Sequence, residues 1–265
     1  MKACTRSIIV NETRTGGVAL RIGAHLAWAD TNDPFGRHLR DAKYLTTVLV
    51  EPHPTTFALL AELVRKEGKE HVIAEHAAAC NRDGTGNATF YTTTTVRNAQ
   101  YSSLTKQHVL QHLRDRWGRL PANVDSLIAP LQVPCYSVGT LLRRHGLDET
   151  QLRVLTVDAE GHDLDILQGM RFGKGHALPL ILVFEQIHLL DRQHRPLARL
   201  SAFVGTLVRT HRYACHARPA KTSGVSAGLS PDMWCVHHAA KALKGCEPSW
   251  NRLKPEGCGK GCGWR

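Results

Sequence analysis

Four apolar runs, each closed by a glycine or an acid, set the strongest limit on how this chain folds. They are VALRIG (18–23), LTTVLVE (45–51), RVLTVDAE (153–160) and LILVFE (180–185). Runs with so little polar alternation are strands covered on both faces. Segments of helical period follow them. TTFALLAELVRKEG carries Phe57, Leu60 and Val64 at helical spacing and closes at Gly68. DLDILQGM places Leu164, Ile166 and Leu167 on one helical face, and LARLSAFVGTLVRTH reads as a further helix. Strand–helix alternation of this kind predicts a doubly wound, mainly parallel α/β sheet. Near the end, RYACHA and PDMWCVHH flank a glycine-containing loop and predict an antiparallel pair at the C-terminal edge. In such sheets ligands lie beyond the carboxyl ends of the strands, so the strand-end residues carry the functional information.

The remaining segments fit around that frame. TNDPFGRHLRDAK predicts a loop into a short helix, with Asn32 or Asp33 as cap and Pro34 at its first position. HVIAEHAAAC predicts a third strand and NATFYTTTTV another. Residues 97–130 are polar and basic, an insertion with a predicted helix over LTKQHVLQHLRDRWG and no legible role. The expected organisation is an extension over residues 1–17, one domain over 18–240, and a Gly-, Pro- and Cys-containing tail over 241–265.

Composition excludes some classes. No stretch approaches the roughly 18 continuous apolar residues that span a bilayer, and MKACTRSIIVNETRTGG is not expected to act as a secretory signal. The formal net charge of +11 is spread over the chain with little aromatic interleaving. That suits a solvated basic surface, and it does not mark a dedicated nucleic-acid module. Cys80, Cys135, Cys215 and Cys235 sit singly in apolar stretches, where a buried thiol is expected. Unpaired thiols imply a reducing compartment, and the expected location is cytoplasmic. Cys258 and Cys262, with His237 and His238 upstream, match no common zinc module.

Three strand ends stand out. The first ends in Gly23 and Ala24, small enough for close approach of backbone to a ligand. The second ends in Glu51 and Pro52, where nucleoside-binding α/β folds place an acid on the ribose hydroxyls. No G-x-G-x-x-G is present, which favours a nucleoside ligand without pyrophosphate. The third ends in Asp158 and Glu160, followed by His162, Asp163 and Asp165. The plainer alternative for Glu51 is a cap on the next helix near Thr55 or Thr56. For Asp163 and Asp165 it is a solvated helix start, and these two are assigned to it.

At these residues the sequence resembles a known family. LTVDAEGHDLDILQGM is similar to the signature of FkbM-type, S-adenosylmethionine-dependent methyltransferases. The resemblance extends to LRIGAH, TNDPFGRHL, VLVEPHP, AAACNRDGTGNATFY, YSSL, VGTLL and ILVFEQIH, spanning about residues 18 to 237. It implies a seven-stranded class I methyltransferase fold whose last strand is antiparallel. It also implies that Gly23 and Ala24 pass beneath the methionine part of the cofactor, that Glu51 with Pro52 holds the ribose, and that Asp158 and Glu160 face the sulfonium and acceptor. Arg21 and Ala27 stand where the family pattern has an acid and a glycine, and a methyl at Ala27 is expected to crowd the cofactor.

The expected reaction is O-methylation of a small-molecule or glycan hydroxyl. A macromolecular acceptor, with RNA or protein drawn by the positive charge, and a partner-binding member without catalysis stay open as alternatives. Candidate proton acceptors are Asp158, Glu160 and His162, with Glu185 and His188 at the neighbouring strand end. Asp158 with Glu160 could instead hold a divalent cation, though no metal site is assigned. Tyr101, Ser102 and Ser103 are candidates to line the acceptor pocket.

Overall fold

The computed structural model describes residues 16–29, 36–82, 86–94, 101–186, 197–219 and 229–240. The expected Asn32–Pro34 cap, His188, Cys4, Cys246, Cys258, Cys262 and the tail lie outside the described residues.

The apolar runs form the predicted sheet. Its strands are β1 (Gly17–Ile22), β2 (Leu45–Val50), β3 (Val72–Glu75), β7 (Leu152–Val157), β8 (Ile181–Glu185), β9 (Tyr213–Pro219) and β10 (Leu229–His237), in the order β3-β2-β1-β7-β8-β10-β9. β1 lies between β2 and β7, parallel to both. β10 runs antiparallel to β8 and to β9. The chain thus leaves β1 toward β2 on one side and returns later as β7 on the other, opening a crevice at their carboxyl ends.

Alternate residues of β1 face opposite layers, as strand geometry requires. Leu20 and Ile22 pack with Leu141 and Leu142 of α4 (Val138–Arg143), Ile166 and Leu167 of α5 (Asp163–Gly169), and Leu200 and Val204 of α6 (Ala198–Arg209). Ala19 packs on the other side with Trp234 and with Leu39 of α1 (Gly36–Asp41). On that side Leu49 meets Leu60 of α2 (Pro54–Glu67). Pro54 opens α2, where its missing N–H costs nothing, and His53 caps it by accepting Thr56 N–H at its Nδ1 (3.3 Å). The helix ends at Gly68 with φ 60°, as the sequence predicts.

Two features depart from expectation, the third strand and the cysteines, while the helix predicted in the insertion forms. HVIAEHAAAC is not one strand: the chain breaks at His76–Ala77, and β4 (Ala78–Ala79) joins a second sheet of order β4-β6-β5, with β5 (Gly86–Thr93) and β6 (Ile128–Tyr136). The insertion carries α3 (Lys106–Trp117), whose Val109 and Leu113 are buried against Ile128. The cysteines expected as isolated thiols are paired, Cys80 with Cys135 and Cys215 with Cys235. Strand pairing causes both contacts. Cys215 faces Cys235 across the β9–β10 ladder, and β4 runs beside the Cys135 end of β6. Among the described residues no helix is long and apolar enough to cross a membrane.

Candidate functional site

The ends of β1, β2 and β7 enclose a cleft of about 760 Å³, counting its open mouth, lined by Arg21, Gly23, Glu51, Pro52, Asp158 and Glu160 among others. Ala77–Ala79 and Phe90 supply its apolar wall, and Ser102 and Leu104 come from the segment leading into α3.

Gly23 is required by its neighbour. Its φ is 71°, and a Cβ there would stand 1.8 Å from the carbonyl oxygen of Asp158. The glycine lets the end of β1 lie directly on the end of β7, with Asp158 N–H donating to Ile22 O (3.1 Å). Ala24 goes elsewhere: it is fully buried in the cluster of Ala27, Trp28, Leu49 and Leu60 and is not among the cleft-lining residues. Ala27 belongs to the same cluster, so its methyl packs in the core instead of crowding the cleft. Its φ of 46° is the left-handed conformation that a glycine would adopt more cheaply.

Glu51 is 4% exposed. Its two carboxylate oxygens accept the backbone N–H groups of His25 and His53, each at 2.8 Å. It therefore ties the β1 turn to the entry of α2, while the cap of that helix is His53. Burial raises its pKa from 4.5 to about 7, against the opposing pull of those N–H groups and of Arg21. Each carboxylate oxygen keeps a second lone pair for a ligand hydroxyl.

Asp158 stands at the cleft floor. The walls that crowd it, then the charges of Glu185 and Glu160, raise its pKa to about 7, with Arg21 opposing. Its cleft-facing side stays open to solvent. The like charges are therefore the firmer cause of that rise. Asp163 is not the solvated helix-start acid expected from its position. It is 2% exposed, and its carboxylate accepts Ala159 N–H (3.3 Å) and Glu185 N–H (3.2 Å), pinning α5 to β7 and β8. Burial, with Glu185 and Asp158 adding to it, holds its pKa well above the usual carboxylate range. Asp165 does sit on the surface, paired with Arg199.

Glu160 adopts φ 49°, a strained conformation for a residue with a side chain. Ser103 Oγ donates to its carbonyl (2.8 Å), and its Oε2 meets His108 Nε2 at 3.2 Å and His112 Nε2 at 3.1 Å. Burial works against its charge, but the two imidazoles hold its pKa below the usual value. Glu160 in turn raises that of His112. Sequence reasoning missed both histidines. The signal was present as His-x3-His inside the predicted helix, a spacing that puts both rings on one face. His162 is at the N-cap of α5, 3.4 Å from Thr105 Oγ1, and is not among the cleft-lining residues. Of the Tyr101–Ser103 stretch, Ser102 lines the cleft and donates to Thr92 Oγ1 (2.8 Å), while Tyr101 stacks edge-on to His112.

The arrangement offers one buried hydroxyl acceptor, an ionisable group poised near neutrality, and a surplus of negative charge that suits a cationic ligand. A family model described as the methyltransferase FkbM domain matches residues 22–205. Among solved structures, a precorrin-6y C5,15-methyltransferase from Geobacter metallireducens GS-15 is similar at 12% identity, over 87% of this chain and 84% of that chain, with a TM-score of 0.36. No curated protein matches the chain.

Proposed function

The chain belongs to the FkbM methyltransferase family, and from that premise we propose that it moves a methyl group from S-adenosylmethionine to a hydroxyl of a small molecule or glycan. The observation that carries this proposal is the meeting of Glu51, Gly23 and Asp158 at one crevice. The cradle fits the cofactor on chemical grounds. Glu51 is a buried acceptor at the β2 end with lone pairs left for two ribose hydroxyls. Pro52 and Ala77–Ala79 give an apolar wall for a base, and the surplus of carboxylates favours a sulfonium. Gly23 serves that site by holding β1 against β7. Ala24 supports the turn from the core.

When bound, the cofactor supplies an electrophilic methyl whose bond to sulfur breaks with the electron pair left on sulfur. The acceptor oxygen forms the new bond to carbon, and its proton passes to the carboxylate of Asp158. A base near pKa 7 suits that step, because about half of it is ionised in neutral solution and it still binds a proton usefully. Ionised Glu160, held by His108 and His112, orients the acceptor hydroxyl at the far side of Asp158. Aligning the two reactants in the crevice can supply several kcal/mol of the barrier. His162 is given a supporting place beside Thr105 and not the proton transfer itself.

The cytoplasmic expectation rested on unpaired thiols, and Cys80–Cys135 and Cys215–Cys235 remove that support. Paired cysteines favour an oxidising compartment. The test is incubation with methyl-labelled S-adenosylmethionine and panels of hydroxylated metabolites and glycans, read by mass spectrometry. An O-methylated product that disappears in Asp158→Asn supports the proposal. Labelling confined to RNA or protein would replace the acceptor class.

A further inference from the structure

α3 presents His108 and His112 one turn apart, and both Nε2 atoms converge on Oε2 of Glu160. The three separations are 2.8 Å between the imidazoles and 3.1 and 3.2 Å to the carboxylate. These contacts cannot all be hydrogen bonds. An imidazole Nε2 either donates or accepts, and an ionised carboxylate only accepts. If both rings donate to Glu160, two N–H groups confront each other. If one ring donates to the other, the accepting lone pair confronts the carboxylate. With the carboxylate ionised, every placement of protons leaves one edge of the triangle repulsive. A cation on the axis of the triangle removes the conflict, because all three atoms then turn lone pairs toward it.

We propose that His108 Nε2, His112 Nε2 and Glu160 Oε2 form a binding site for a divalent transition-metal ion of the zinc class. The dimensions agree. For a triangle with these edges, an ion at about 2.0–2.1 Å from each atom stands roughly 1 Å above the plane, with ligand–ion–ligand angles of about 85–105°, between a tetrahedral and an octahedral face. Two imidazoles and one carboxylate select zinc, cobalt or nickel over magnesium or calcium, which prefer all-oxygen shells. The ligands are also held in place. Ser103 fixes the Glu160 carbonyl, and a Cβ on Gly161 would come within 2.8 Å of His108 Nδ1, so only glycine lets that ring lie on the turn. The side chains are 11%, 25% and 23% exposed, partly shielded and reachable by an ion.

Glu160 lines the cleft beside Asp158, so an ion held there stands at its acceptor end. An open coordination position takes the acceptor oxygen and lowers the pKa of its hydroxyl, the proton then leaving to Asp158. This use of the ion rests on the methyl-transfer proposal, whereas the site itself does not.

The test uses the untagged full chain freed of metal by chelation, alongside a variant with Cys246, Cys258 and Cys262 changed to Ser. Zinc is titrated by equilibrium dialysis with elemental analysis, and cobalt by its visible absorption. Both proteins are expected to bind one equivalent and to show a visible cobalt absorption that saturates at that equivalent. His108→Gln, His112→Gln and Glu160→Gln each weaken binding by more than about 100-fold, beyond the roughly 10–100-fold that losing a supporting partner costs. His145→Gln, whose imidazole pairs with Glu75 and is not one of the three ligands, leaves binding intact. Circular dichroism on each variant shows whether it is folded, and the polar isostere Glu160→Gln guards against a misfolded histidine variant. Absence of an equivalent in the parent, or equal binding by the parent and folded Glu160→Gln, overturns the site. S-Adenosylmethionine binding, measured in parallel by calorimetry, separates that failure from failure of the methyl-transfer proposal.

Discussion

Glu51→Gln isolates what a buried carboxylate at the strand end costs the fold. In the parent, burial raises its pKa from 4.5 to about 7. The folded-state value lies above the unfolded one. The stabilisation from the proton is therefore complete below about pH 4.5 and is lost as pH rises through about 7. At about 1.4 kcal/mol for each tenfold change in proton affinity, the loss is about 3 kcal/mol. Gln carries no such titration. It keeps one acceptor for His25 or His53 but turns an NH2 toward the other backbone N–H, a pH-independent cost of about 1–3 kcal/mol. Asp158 and Asp163 titrate in the same direction in both proteins and largely cancel in the difference. Urea unfolding followed by tryptophan fluorescence, at steps from pH 4.5 to 8, is the assay. The variant should be less stable than the parent by about 1–3 kcal/mol at the acid end, and the gap should close or reverse by pH 8. Two stability profiles that run parallel across that range would refute the burial of a titrating carboxylate at this position.

Other perturbations probe the rest of the site. Gly23→Ala places a Cβ 1.8 Å from Asp158 O at a φ of 71° and should destabilise the fold by more than about 3 kcal/mol; an unchanged melting temperature would contradict the β1–β7 contact. Asp158→Asn should lower turnover by about 10²–10⁴-fold, a larger loss than the weakening of cofactor binding from one carboxylate fewer. In the parent, activity should rise with pH through about 7 as Asp158 ionises, and a variant keeping that limb would exclude Asp158 as the base. Replacing Cys215 and Cys235 with Ser frees a loop of sequence separation 20 and should cost about 3 kcal/mol in urea unfolding; no loss would mean that the pair is not closed in solution.

What could be read from the sequence was what is local. The β1, β2, β7 and β8 strands and the acids at their ends are set by short apolar runs and the residue after each, and Gly23, Glu51, Asp158 and Glu160 line one cleft. Contacts made across long separations were not legible. His108 and His112 reach Glu160 over 52 and 48 residues, from a polar segment whose period gives no hint of a partner. Asp163 was misassigned because an acid at a helix start is ordinarily solvated. Here β8 packs over that start and supplies an N–H to it. The Cys215–Cys235 pair follows from the β9–β10 register, and register is a property of the assembled sheet.

The most direct measurement is calorimetric titration of the purified chain with S-adenosylmethionine, beside the Glu51→Ala variant. One equivalent bound by the parent, with affinity weakened at least about tenfold when the buried ribose acceptor is removed (about 1.4 kcal/mol), is the predicted result. No heat of binding at millimolar cofactor, or equal affinity in the two proteins, would contradict the account at its centre.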